Sequence, residues 1–271
     1  MIAINNEKVK ITTFPNGETL LKIDDILKNI TPNKCDVSFK FESNSDLIDL
    51  MFIARELKLC GIENATLTIM YMPYSRMDRT EGINAFTLKY VCEFINSLGF
   101  KNIEVLEPHS DVSVALLNNV SVLNGTLVLV EDVIRELNFG SRESDVLVYP
   151  DQGAAKRYAK QIKFDNILIA DKERDFATGL IKNITIHGEV PKKDFRAIIV
   201  DDLCSKGGTF ILTAKKLREV GAAEIYLVVT HCENTIYDGE ILNTNLIDKV
   251  YTTDSILSRF ESDKIDVVKL L

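Results

Sequence analysis

Short runs of apolar and β-branched residues recur along this chain, and most are followed by a stretch with helical periodicity. Strands that alternate with helices of about 10–15 residues favour parallel sheets covered by helices on both faces. The predicted strands are Lys8–Phe14, Ala65–Met70, Ile103–Leu106, Val146–Tyr149, Ile167–Ala170, Ala197–Val200, Ile225–Thr230 and Val250–Thr252. The predicted helices are Ser45–Leu59, Ala85–Leu98, Leu127–Leu137, Gly153–Gln161 and Thr209–Val220. The pattern predicts an α/β protein whose sheets are mostly parallel and flanked by helices.

The predicted elements fall into two β/α sets, and 271 residues with 46% hydrophobic composition suffice for two cores. We predict an N-terminal half at residues 1–122 and a C-terminal half at residues 123–255. Residues 118–125 place Asn, Ser and Gly around a short apolar patch, which predicts a crossover there. Residues 256–271 contain one more predicted strand, Lys264–Leu271, which we expect to pack back on the N-terminal half.

Charge and cysteine usage narrow the class of protein. A net charge of -8 disfavours nucleic acid as a partner, because such binders usually carry a basic face. The five cysteines form no C-x-x-C pair, which favours reduced thiols over a zinc cage or a disulfide framework. No apolar run approaches about 18 residues, and the first residues lack the apolar core of a secretory signal. We therefore expect a soluble cytoplasmic protein without a membrane partner.

The most informative segment is Val200–Thr209, where an apolar strand ends in two acids and a glycine-rich turn leads into a helix. Ligands of open α/β sheets bind at the carboxyl ends of strands. Glycines let backbone N–H groups approach a phosphate, and the helix N-terminus adds partial positive charge. We predict that Asp201 and Asp202 hold ribose hydroxyls, and that Thr209 caps the helix and donates to phosphate. An ordinary βα turn is the alternative, but it does not explain two adjacent acids that repel each other.

This loop resembles the ribose 5-phosphate loop of phosphoribosyltransferases and of phosphoribosyl-pyrophosphate (PRPP) synthetases. Four further segments resemble the synthetases specifically and occur in the same order. They are Phe14–Glu18, Tyr71–Asp78, Val148–Arg157 and Asp171–Arg174. The chain is thereby identified as a short, divergent member of the ribose-phosphate pyrophosphokinase (PRPP synthetase) family. The resemblance implies two phosphoribosyltransferase-like domains, the first for ATP and the second for ribose phosphate.

The resemblance implies a transferase of nucleotide biosynthesis. With Mg²⁺, ATP gives its β,γ-diphosphate to the anomeric hydroxyl of a ribose 5-phosphate group and leaves as AMP. Such catalysis is mostly positioning and charge stabilisation. By match to the family motif, Lys172 and Arg174 are the catalytic pair that clamps the transferring phosphates. The following Asp175–Gly188 is expected to form a mobile lid. The residues implied for ribose phosphate are Asp151, Asp201, Asp202, Ser205, Lys206, Gly207, Gly208 and Thr209.

The residues implied for ATP lie in the first half of the chain. Phe14 would stack on adenine, while Asn16 and Glu18 would bond its edge. In the family this hairpin serves the site of a neighbouring subunit, so we expect a homo-oligomer, a dimer or larger, with a shared site. Two further residues, Arg76 and Asp78, would lie near the ATP phosphates, where Arg is suited to bidentate contacts. The implied metal residues are His109 and Asp151.

The chain also departs from the family pattern. Met77 stands where the family usually has Gln, and Phe86 where it usually has Lys. Only about ten residues precede the Phe14–Glu18 hairpin, which puts the family's regulation by phosphate or ADP in doubt. In the ribose-phosphate loop, Ser205-Lys206 replaces Asp-Thr, so an acid is lost and a cation is gained.

Lys206 leaves the acceptor open. It either compensates for another change, or it serves an acceptor with a longer 5′ tail, such as ADP-ribose. That acceptor would give ADP-ribose 1-pyrophosphate, a precursor for NAD biosynthesis. A different alternative is a non-catalytic, synthetase-associated regulatory subunit, which retention of Lys172, Arg174, His109 and Asp151 disfavours. A phosphoribosyltransferase is disfavoured because the hairpin and the Tyr71–Asp78 stretch have no place in that family.

Overall fold

The computed structural model describes residues 1–28, 30, 35–80, 82–174 and 181–270, without the side chains of residues 23, 25, 173, 174, 181 and 182. The chain divides into two compact units, Met1–Leu123 and Asn124–Leu270. This division falls one residue from the boundary predicted from the sequence. No helix within the described ranges combines the length and apolar character that crossing a membrane requires.

The first unit is built on a six-stranded sheet in the order β2-β1-β5-β6-β7-β8, with a separate hairpin β3-β4. Its strands are β1 Ile2–Ile4, β2 Glu7–Lys8, β3 Thr12–Thr13, β4 Thr19–Leu20, β5 Cys35–Phe39, β6 Ala65–Ile69, β7 Asn102–Leu106 and β8 Val120–Leu123. Its helices are α1 Ile23–Leu27, α2 Ser45–Leu59, α3 Thr87–Leu98 and α4 Asp111–Leu116. The strands from β5 to β8 are parallel, so their carboxyl ends share one edge. Strand and helix residues together form one apolar core, which includes Phe39, Leu50 and Leu67.

The second unit is built on a seven-stranded sheet in the order β11-β10-β9-β12-β13-β14-β15. Its strands are β9 Val146–Tyr149, β10 Ile167–Arg174, β11 Ile181–His187, β12 Phe195–Cys204, β13 Ala222–Cys232, β14 Lys249–Thr253 and β15 Ile265–Val268. Its helices are α5 Gly125–Glu136, α6 Gln152–Tyr158 and α7 Gly208–Glu219, with 3-10 turns at Asn234–Asp238 and Ile241–Asn243. Among the described strands of this unit, only β11 runs antiparallel to its neighbour, and apolar clusters pack on the sheet. The predicted fold class, mostly parallel sheets flanked by helices, is confirmed.

Two sequence predictions about strands are wrong. The single strand predicted over Lys8–Phe14 is divided, because β2 turns back onto β1 and β3 pairs instead with β4. The C-terminal strand was expected against the first half, but it is β15 of the second unit's sheet. It pairs in parallel with β14, and the buried Ile265 extends the core of the second unit.

Candidate active site

The loop predicted to bind ribose phosphate is a strand-to-helix turn in the second unit. Strand β12 runs on to Cys204, and α7 begins at Gly208. Gly207 occupies the N-cap position with a φ of 80°, a left-handed conformation that glycine adopts without steric cost. Thr209 lies inside the first helical turn, so its predicted role as the helix cap is wrong. The N–H groups of this turn have no acceptor within the helix, which makes it suited to an anion.

The two acids of the loop are held differently. The Asp202 N–H donates to Asp201 Oδ1 at 2.9 Å. The Asp202 side chain is buried, and its Oδ2 lies 3.7 Å from Arg157 Nη1. Burial, together with the nearby carboxylates of Asp202 and Asp151, raises the pKa of Asp201 well above its ordinary value. Asp202 therefore lies beside the cation of Arg157, whereas Asp201 lies near two other carboxylates.

Asp151 follows β9 and caps helix α6. Its Oδ1 accepts a hydrogen bond from the Ala154 N–H at 2.9 Å, and its Oδ2 accepts one from Lys172 Nζ at 3.0 Å. Burial raises the pKa of Asp151, but the hydrogen bonds from Ala154 and Lys172 outweigh burial, so the pKa lies below its ordinary value. Because its pKa is lowered, the carboxylate is ionised at neutral pH, and at 43% exposure it is also accessible.

Lys172 and Arg174 both belong to β10. The Lys172 side chain is largely buried against Asp151, whereas the Arg174 side chain lies outside the described part of the chain. Part of the segment expected to form a mobile lid, Ile181–His187, is strand β11, which pairs antiparallel with β10. The rest of that segment, residues 175–180, lies outside the described residues. The two residues predicted to be catalytic therefore lie on β10, one strand of this antiparallel pair.

In the first unit, the Phe14–Glu18 hairpin is exposed. The Phe14 N–H donates to the Glu18 carbonyl at 2.8 Å, and the Glu18 N–H donates to Asn16 Oδ1 at 3.2 Å. Gly17 has a φ of 90°, which suits glycine at a tight turn. The Phe14 side chain is 48% exposed. The exposed aromatic ring at this hydrogen-bonded turn is available for stacking.

The other residues predicted to bind ATP follow two neighbouring strands. Arg76 and Asp78 lie in the turn after β6, and His109 follows β7. Arg76 is exposed, whereas Asp78 and His109 are half-buried. The sheet thus brings these three residues to one edge of the first unit. Across the described ranges, no group of three or more His, Cys, Asp or Glu side chains is arranged to hold a metal ion.

The structure adds residues that the sequence did not identify. Arg157 is the last residue of the Val148–Arg157 segment, and the sequence predicts no role for it. Thr235 contacts the loop through Ser205, with 3.0 Å between their hydroxyl oxygens. Gly239 lies directly against the backbone of Lys206. The last two are far from the loop in sequence, and no local pattern indicates them.

Fold and site together define an α/β protein with a ribose-phosphate-type loop at a strand end. A model of the N-terminal domain of ribose phosphate pyrophosphokinase matches residues 1–99, and a model of the phosphoribosyl synthetase-associated domain matches residues 175–271. The ribose-phosphate pyrophosphokinase of Buchnera aphidicola (from Acyrthosiphon pisum) is 28% identical over 93% of this chain and 80% of its own length. That of Mycoplasma pneumoniae is 29% identical over 90% of this chain and 74% of its own length.

A solved structure is also similar. The phosphoribosylpyrophosphate synthetase from Mycobacterium smegmatis superposes with a TM-score of 0.75 at 19% identity, covering 96% of this chain and 85% of its own. This likeness supports the fold. The domain models and the relatives together place the chain in a family: it belongs to the ribose-phosphate pyrophosphokinases, the PRPP synthetases.

Proposed function

We propose that this protein is an ATP-dependent diphosphokinase that transfers the β,γ-diphosphate of ATP to the anomeric hydroxyl of ribose 5-phosphate and releases AMP. The observation that carries the proposal is the placement of acids and cation in the second unit. Asp151, Lys172 and Asp201 belong to or follow β9, β10 and β12, three neighbouring parallel strands. Ligands of such sheets bind at this edge.

Two kinds of protein group bind the acceptor, one its 5′-phosphate and the other its ribose. Ser205 and Gly207 of the loop, together with Gly208 and Thr209 in the first turn of α7, offer backbone N–H donors to the 5′-phosphate, and Thr209 adds its hydroxyl. Asp201 and Asp202 accept hydrogen bonds from the ribose hydroxyls. Arg157 supports this division, because a cation 3.7 Å from Asp202 stabilises its ionised carboxylate.

The donor is ATP. Phe14 stacks on adenine, Asn16 and Glu18 bond its edge, and Arg76, Asp78 and His109 lie near its phosphates. The catalytic residues Lys172 and Arg174 contact the diphosphate as it leaves AMP, since two cations stabilise charge on the transferred group. The exposed hairpin supports a site completed by a second copy, and thus a homo-oligomer. We further propose that the protein works in the cytoplasm.

Magnesium fits the residues present. Mg²⁺ is usually held by one or two carboxylates together with substrate phosphates and water, so a dedicated cage is not required. Asp151 is the carboxylate suited to this role, because it is accessible and its pKa is low. His109 would help hold Mg²⁺–ATP. When bound, the ion neutralises charge on the phosphates of ATP.

A second candidate has the same chemistry with ADP-ribose as acceptor, in a route to NAD. It is favoured by Lys206, an exposed cation in the loop where the family has Thr. Kinetics with both acceptors decide between them. Lys206→Thr is expected to weaken the diphosphate-tailed acceptor more than ribose 5-phosphate, and equal effects on both would remove this role for Lys206.

Release of AMP from ATP, dependent on Mg²⁺ and on the added acceptor, tests the proposed function. Lys172→Met is the inactive comparison, and Lys160→Met, at an exposed lysine of the same unit, is the matched control. AMP release with one acceptor supports the proposal. Failure of both ribose 5-phosphate and ADP-ribose to elicit AMP, with ATP still bound, would instead favour a non-catalytic regulatory subunit.

A further inference from the structure

Four consecutive residues of the ribose-phosphate loop, Cys204 to Gly207, all rest on one segment that lies outside the loop's own sequence. This supporting segment, Glu233–Ile241, follows β13 and contains a 3-10 turn. It contributes hydrogen bonds to the first two loop residues and close packing to the other two.

The hydrogen bonds form a chain. The Glu233 N–H donates to the Cys204 carbonyl at 2.8 Å, next to the β12–β13 pairing. Thr235 Oγ1 donates to Glu233 Oε2 at 3.0 Å and lies 3.0 Å from Ser205 Oγ. Because the single Thr235 proton is used on Glu233, Ser205 is the donor to Thr235. This orders the Ser205 hydroxyl at the start of the loop.

The close packing involves two glycines. A Cβ on Gly239 would lie 2.1 Å from the Lys206 carbonyl oxygen and 2.9 Å from its carbonyl carbon. The backbone of Gly239, with φ -100° and ψ -173°, is open to any residue, so the contact alone excludes a side chain. On the other side, a Cβ on Gly207 would lie 2.0 Å from Ile241 Cδ1. The Lys206 backbone therefore packs against Gly239, and Gly207 packs against the buried Ile241 side chain.

The supporting segment is itself anchored. Lys264 Nζ donates to the Ile241 carbonyl at 2.8 Å and also bonds the Thr244 carbonyl. Ile236 and Ile241 are fully buried in the apolar core of this unit. A loop that rests on this segment has little freedom to move its backbone.

We propose that Gly239 and Thr235 are positioning residues for the acceptor, acting through the backbone of Lys206 and the hydroxyl of Ser205. The inference rests on the proposed function and extends it to residues outside the family motif. A shifted Lys206 carbonyl displaces the neighbouring N–H groups from the 5′-phosphate. Binding of ATP and the Lys172–Asp151 pair involve other elements, so the effect is confined to the acceptor.

The test compares two variants with matched controls. Gly239→Ala adds one methyl at the contact, whereas Glu240→Ala alters the exposed neighbour and leaves the contact intact. Thr235→Val removes the hydroxyl at constant shape, and Thr235→Ser restores it. Initial rates give KM for the acceptor, KM for ATP and kcat. Hydrogen exchange measured by mass spectrometry over residues 203–210 reports the loop independently of activity, and thermal melting checks the fold.

Gly239→Ala is expected to raise the acceptor KM about 10- to 100-fold, with little change in the ATP KM, and to accelerate exchange in the loop. Thr235→Val is expected to raise the acceptor KM roughly 2- to 10-fold, while Thr235→Ser should keep an acceptor KM near the native value. Unchanged exchange together with an unchanged acceptor KM in Gly239→Ala would overturn the inference. If Gly239→Ala does not fold, the comparison of Thr235→Val with Thr235→Ser decides. An equal acceptor KM in these two variants would overturn the inference. If the native protein releases no AMP, the proposed function fails, and loop exchange still decides the positioning role.

Discussion

Lys172 Nζ lies 3.0 Å from Asp151 Oδ2. This contact joins the residue proposed to clamp the transferred diphosphate to the residue proposed to meet Mg²⁺ and ribose. Since both partners lie at the ends of neighbouring strands, the sheet itself sets their separation. Phosphates of bound ATP would compete with Asp151 for the lysine, so the pair keeps the cation at the strand ends where the transfer is proposed to occur.

Replacement of Lys172 by Met tests this cation. We expect kcat to fall about 10²–10³-fold, the typical cost of removing one group that stabilises transition-state charge. Stability should change by only about 0–1 kcal/mol, because the pair is partly exposed to solvent. Single-turnover kinetics and urea unfolding measure the two effects. A fall in kcat similar to that of Lys160→Met would contradict the role.

Phe14→Ala tests adenine stacking. Loss of a base–aromatic stack costs about 1–3 kcal/mol, so the KM for ATP should rise roughly 5- to 150-fold. The acceptor KM and the melting temperature should stay unchanged, because the ring is 48% exposed and adds little to the core. Phe260→Ala, at a ring that is 50% exposed in the other unit, is the control. Equal ATP kinetics in both variants would refute stacking.

The pKa of Asp201 predicts a pH-dependent stability. Burial and the neighbouring acids raise it in the folded state, so the proton is bound more tightly when folded than when unfolded. The contribution of Asp201 to stability is then fully present below the pKa of the unfolded state and is lost as pH rises through the pKa of the folded state. Asp201→Asn removes the ionisable carboxyl and, with it, this loss of stability at high pH.

The melting temperatures of the native protein and Asp201→Asn check the prediction at pH 4.5 and pH 8. The variant should be the more stable protein at pH 8, and its advantage should shrink at pH 4.5. Asp263→Asn, at an exposed carboxylate, is the control and should show no such trend. An advantage that grows toward acid would contradict the raised pKa.

The buried pair of Arg196 and Asp145 is predicted to matter for stability rather than for activity. Arg196 Nε and Nη2 donate to the two Asp145 oxygens at 2.8 Å and 2.6 Å, and both side chains are buried. Arg196→Met leaves a buried carboxylate without its cation, which costs about 3–5 kcal/mol. Urea unfolding measures the loss, and the KM values of the folded fraction should stay native. A change below about 1 kcal/mol would contradict the assignment.

Local pattern was sufficient for much of the fold. The predicted helix Ser45–Leu59 coincides with α2, because its buried residues recur with helical spacing on one face. The predicted strand Ala197–Val200 lies within β12, where every residue from Phe195 to Val200 is buried. Parallel strands covered on both faces read as continuous apolar runs, so the sequence indicates them directly.

Features that depend on distant partners could not be predicted in this way. Strand β11 was expected to belong to a lid, since its sequence is mixed and its pairing with β10 is decided by tertiary context. Thr209 was expected to cap α7, but Gly207 takes that position because Ile241, far along the chain, leaves no room for a side chain there. Gly239 is an isolated glycine in the sequence, and only the approach of Lys206 explains it.

Mass analysis of the reaction products is the decisive measurement for diphosphate transfer, with ATP and Mg²⁺ present and with ribose 5-phosphate and ADP-ribose supplied in separate reactions. We expect AMP and an equal amount of acceptor that has gained a diphosphate at its anomeric hydroxyl. A gain with ADP-ribose alone would keep the chemistry and change the acceptor. ADP with an acceptor that has gained a single phosphate, or no change in either acceptor, would rule out diphosphate transfer by this protein.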